Sequence, residues 1–204
     1  MKHGLERHLV AGLGGIALGL AATAGVFAAD APASVEQQSA MWQQHKVSFD
    51  FLGFTSTYSC DGLADKLKIL LLAAGARPDV KSQPGACASS FGRPDKFARA
   101  DLTFYTLIPA DAAATSGGKT VDGAWHHVAL TSHQPRELAT GDCELVEQFK
   151  STVLPMFDTR NLEEHSTCIP HQDSGSVIDL KFDALVMRTP TPPGARAGAA
   201  TQGR

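Results

Sequence analysis

Apolar and polar side chains alternate along several short stretches of this chain and recur every three or four residues along two others. Val47, Phe49 and Phe51, set against Ser48 and Asp50, follow the two-residue period of a half-buried strand and predict one over 46–58. Leu63, Leu67, Leu70 and Leu71 form one stripe of a helix over 61–74, with Asp61 as its expected N-cap and Gly75 as its stop. A weak strand over 77–87 and a strong one over 98–108 follow, the second with Leu102, Phe104 and Thr106 on one face. The same order then recurs: a strand over 123–133, a helix over 142–154 closed by Pro155, a weak strand over 157–167 and a clear one over 176–187.

The recurrence extends to residue types. Phe49 to Ser56 aligns with Trp125 to Ser132, Cys60 with Cys143, and Asp101-Leu102-Thr103-Phe104 with Asp179-Leu180-Lys181-Phe182. A shared order of strand, cysteine, helix, strand, cysteine, strand points to a duplicated unit. The expected fold is therefore α+β: a two-layer sandwich from a duplicated βαββ unit, with about six strands and two helices on one sheet face. The ferredoxin-like βαββαβ fold is its nearest simple relative. The first repeat is expected over 46–109 and the second over 123–188. Residues 110–122, small, polar and Gly-rich, read as a linker, and 189–204 as a disordered tail.

The amino terminus changes this picture. Lys2 and Arg7 precede an uncharged run from Leu9 to Phe27, and Val26-Phe27-Ala28 ends it in a form suited to cleavage. This predicts a signal peptide over 1–28, with a cut after Ala33 as the alternative, and a periplasmic or secreted protein. No later apolar run is long enough for a bilayer, so no stable membrane span is expected after cleavage. The net charge of −3, with both signs interspersed, offers no basic patch for nucleic acid.

An even count of four cysteines in an exported chain argues for disulfides. In a strand–helix–strand crossover, the helix start and the end of the second strand meet at one sheet edge. Cys60 is therefore expected to pair with Cys87, and Cys143 with Cys168. Each bridge would close a loop of about 26–28 residues, worth roughly 3.5 kcal/mol in the chain-entropy model. Cys-x-x-Cys is absent, which argues against a thioredoxin-type dithiol.

Chemistry-bearing patterns are few. There is no Gly-x-Ser-x-Gly, His-Glu-x-x-His or P-loop, and no catalytic residue is assigned. His126 and His127 are neighbours, which on a strand point to opposite faces. His165 and His171 flank Cys168 and form an alternative copper or zinc pair, in competition with the disulfide for that sulfur. No cofactor is expected.

The segment Thr55-Ser56-Thr57-Tyr58-Ser59-Cys60-Asp61-Gly62-Leu63 resembles a segment of uncharacterised exported proteobacterial proteins. The resemblance implies export and a common fold, and carries no activity or site residues. The expected function is a non-catalytic module that binds an envelope protein or a small ligand. Tyr58, Tyr105 and Trp125 are its candidate contact aromatics, and an unpaired sheet edge is its candidate docking surface. The alternatives are a periplasmic metal-binding protein and an enzyme without a recognisable motif.

Overall fold

A computed structural model describes residues 37–86, 93–111, 119–172 and 174–188. The expected signal peptide (1–28), Cys87, most of the linker and the tail from Thr189 lie outside the described residues.

The chain forms β1 (Gln37–Leu52), α1 (Cys60–Ala73), β2 (Lys81–Pro84), β3 (Phe97–Pro109), β4 (Thr120–Thr131), α2 (Cys143–Thr152), β5 (Thr159–Glu164) and β6 (Asp179–Met187). The strands make one antiparallel sheet in the order β2-β3-β1-β4-β6-β5. This is an α+β fold with two strands more than βαββαβ. Matching β1, β2 and β3 with β4, β5 and β6 makes the order read the same from either edge.

Helix α1 begins one residue earlier than its pattern predicts, because Ser59 and not Asp61 is the N-cap: its hydroxyl accepts the Gly62 N–H. It stops where expected. Gly75 adopts φ +97°, and a Cβ there would lie 2.5 Å from Val186 Cγ1, so the position requires glycine twice over. One core takes Leu63, Leu67 and Leu71 from α1, Leu145 and Phe149 from α2, and Phe49, Phe51, Phe104 and Phe182 from the strands. Both helices thus cover one sheet face. On the other face lies a smaller cluster of Ala40, Leu107 and Leu185, with Trp42, Val121 and Trp125 packed against it.

Strand β1 starts well before the expected 46 and ends at Leu52. Ala40 and Met41 are both buried, which breaks the alternation there and hides the strand from its pattern. Strand β4 stops at Thr131, so His133 sits in a turn and not on a strand. The Phe49–Trp125 alignment also fails in detail. Phe49 faces the helices and Trp125 the opposite side, so the two are not equivalent positions.

Candidate functional site

Among the described residues, strand β1 pairs with β4 from Gln37↔Ala124 to Met41↔Thr120. Past these pairs, residues 42–52 keep β3 as their neighbour and 125–131 keep β6, while the residues ahead of Gln37, next in line beside Trp125, lie outside the described residues. In an antiparallel strand, successive residues turn their backbone groups to alternate sides. Asp122 C=O accepts from Arg188 N–H on the β6 side, whereas Thr131 exchanges both its bonds with Gln134 on the other. The N–H and C=O groups of Trp125, His127 and Ala129 therefore point away from β6, to a side where none of the described residues pairs with them. A cleft of about 210 Å³ runs along this edge, between Ala73 at the end of α1, residues His126 to Ala129, and Gln134 and Pro135.

The other edges are blunted. Strand β2 is four residues long and ends in Pro84. Strand β5 carries a register irregularity between Arg160 and Glu163. The free side of β1 has exposed Lys46 at its middle, and its end is closed by Gln148, whose amide donates to Leu52 C=O and accepts from Leu52 N–H. Short length, proline, bulges and lysine are the usual protections against strand pairing. The stretch Trp125–Ala129 carries no proline, bulge or lysine.

The three aromatics expected to make contacts do not converge. Trp125 lies at the β4 edge on the face away from the helices, with the Arg160 guanidinium 4.4 Å from its ring centroid. Tyr105, on the same face in β3, lies under Arg77 at 3.6 Å, and Arg77 also approaches Trp42, an aromatic the sequence did not single out, at 5.4 Å. Tyr58 is on the helix side, edge-on to Phe51.

Tyr58 belongs instead to a polar clasp that sequence reasoning missed. Its hydroxyl donates to buried Asp142, which also takes Lys66 Nζ at 2.7 Å and the Ala139 N–H at 2.8 Å. Burial, then the Asp142 charge, push the Tyr58 phenol above its ordinary range. Two residues on, the buried Glu144 carboxylate accepts the N–H groups of Phe54, Thr55 and Ser56. Between the two acids, Cys143 is bonded to Cys168, with their Cα atoms 5.5 Å apart. Cys60 is also disulfide-bonded; its expected partner Cys87 lies outside the described residues. Acidic residues beside a cysteine were the sole sequence signal for this clasp, and all its partners except Ala139 lie in the other half of the chain.

The histidines separate. His127 Nδ1 lies 3.2 Å from Asp183, whose carboxyl is held below its ordinary range, first by the Asn161 amide. His165 follows β5 in sequence. His171 sits at φ 63°, its ring edge-on to Phe54. The Cys168 sulfur is committed to the disulfide, and no group of three His, Cys, Asp or Glu side chains among the described residues is placed to hold a metal ion. No helix among them is long and apolar enough to cross a membrane. No family model, curated protein or solved structure matches the chain.

Proposed function

We propose that this chain is an exported, disulfide-stapled binding module of the cell envelope, and that it holds its partner at the β4 edge and the cleft beside it. The observation that carries this reading is the cleft of about 210 Å³ along His126–Ala129, beside a stretch of β4 that has no proline, bulge or lysine and, among the described residues, no strand on its side away from β6. Export is supported by the leader pattern of residues 1–28 and by the Cys143–Cys168 bond, which suits an oxidising compartment. A duplicated βαββ unit is supported by the symmetric strand order. In a register shifted from the sequence alignment, Trp42 and Cys60 precede Trp125 and Cys143 by the same number of residues.

A photo-crosslinking side chain placed at Ala129, and separately at Lys46, tests the site in the protein recovered from its own compartment. Adducts at position 129 and not at 46 are expected. Equal labelling at both positions, or none at 129, would remove the β4 edge as the site. The intact mass of the same protein reads out leader removal and disulfide count.

A further inference from the structure

We propose that the clasp binds a single water molecule between the Thr55 hydroxyl and the Glu144 carboxylate, as a hydrogen-bonded link between the two halves of the chain. The site is separate from the β4 edge and takes water alone.

Thr55 Oγ1 is buried and has no hydrogen-bond partner among the described residues. A buried hydroxyl without a partner is costly, because the unfolded chain has water to satisfy it. Native structures meet such groups with ordered water where there is room. Here there is room for one. A cavity of about 10 Å³ lies at the clasp, lined by Thr55, Thr140, Cys143, Glu144, Cys168 and Ile169 among others. A single water needs about 10–15 Å³, so the cavity admits one and is too small for an organic ligand.

The polar lining has capacity left where it is needed. Glu144 Oε2 accepts from the N–H groups of Phe54, Thr55 and Ser56, whereas Oε1 accepts from Thr55 N–H alone, at 3.1 Å. Each carboxylate oxygen has about two lone-pair positions, so Oε1 can take one more donor. Thr55 Oγ1 makes no bond to it, and a molecule standing between them joins the two. The neighbouring hydroxyls are already engaged. Ser56 donates to Gly141 C=O, and Ser176 accepts from Ile169 N–H at 3.0 Å and donates to Gln172 C=O at 3.3 Å. Thr140 brings a further hydroxyl to the lining. A buried water makes about three hydrogen bonds, and this set supplies them: it receives the Thr55 proton and donates to Glu144 Oε1 and to Thr140. The Cys143–Cys168 bridge and Ile169 are the apolar part of the wall.

Thr55 precedes α1, while Thr140 and Glu144 sit at the start of α2. The water therefore adds a link at the seam that Tyr58 and Asp142 already bridge. It also gives position 55 a requirement that shape alone does not: serine keeps the hydroxyl, whereas valine keeps the outline and loses it.

The test uses the full, oxidised chain as wild type, Thr55→Ser and Thr55→Val. Crystals of each are read for a density peak about 2.8 Å from both the residue 55 hydroxyl and Glu144 Oε1. Oxygen-17 relaxation dispersion counts the long-lived waters in solution. The peak is expected at full occupancy in wild type and Thr55→Ser. It should vanish in Thr55→Val, with one long-lived water fewer. An empty position in the wild type, or a side chain filling it, would overturn the proposal with no variant needed. A peak unchanged in Thr55→Val would overturn the role of the hydroxyl and the proposal with it. Contacts of about 2.4 Å to about six oxygens would overturn water in favour of a bound cation.

Discussion

The Tyr58 hydroxyl donates to the Asp142 carboxylate at 2.5 Å, joining the residues just ahead of α1 to those just ahead of α2. Asp142 is 4% exposed, so its bonds to Tyr58, Lys66 and Ala139 replace the water it has lost. Tyr58→Phe removes one of these partners with little change of shape. The expected cost is about 1–3 kcal/mol, read as a lower urea midpoint at unchanged slope. The phenol's raised pKa adds a sign: above about pH 10 the unfolded chain releases this proton while the native one keeps it, so native stability falls as pH rises. The variant should lose that part of the alkaline slope.

Glu144 performs a similar task one residue past the disulfide. Its carboxylate is the acceptor for three successive backbone donors, Phe54, Thr55 and Ser56. Glu144→Gln keeps one good acceptor and should cost about 1 kcal/mol. Glu144→Ala leaves the donors without one and should cost about 3 kcal/mol. Exchange of the Phe54–Ser56 amides should speed up in the order wild type, Gln, Ala. Equal exchange in all three would mean that the loop holds its shape without the acid.

Cys143 and Cys168 close a loop with a sequence separation of 25. The doubly substituted Cys143→Ala/Cys168→Ala protein is expected to lose about 3.5 kcal/mol, most of it through a less restricted unfolded chain. Unfolding and refolding rates measured on both forms should place this loss mainly on refolding if that account holds. Gel-shift thiol counting on the wild type should find neither cysteine reactive.

His45 predicts the acid side of the stability profile. Its ring stacks on Phe104 with centroids 5.2 Å apart, its Nε2 lies 2.9 Å from Thr106 Oγ1, and burial lowers its pKa. Below about pH 6.5 the unfolded chain takes up a proton that the native ring resists. The stability this provides is complete above that pH and is lost as pH falls through the lowered native value. Denaturation midpoints between pH 7 and pH 5 should fall less in His45→Asn than in the wild type.

Much of this fold is legible in residue patterns, for reasons the structure makes plain. Leu63, Leu67 and Leu71 face a single core, so α1 is periodic. The start of β1 is not legible, because Met41 faces the helices while Ala40 and Trp42 serve the second cluster, and both faces take apolar residues there. Trp125 and Phe49 look alike as aromatic strand residues, yet facing is set by register, and a match of residue types carries no register. The clasp is hidden for another reason. Tyr58 and Asp142 are 84 residues apart, and an acid is read as solvated until its distant partner is known.

The antiparallel pairing of β1 with β4 has a mechanical consequence. Tension applied along the two strands loads their ladder in shear, and its pairs must yield together. Tension applied across the sheet peels them one pair at a time. Glu144 and Asp142 bridge the halves outside this ladder and act as a second link in parallel with it. A tether built on this sheet would therefore resist far larger forces along its strands than across them.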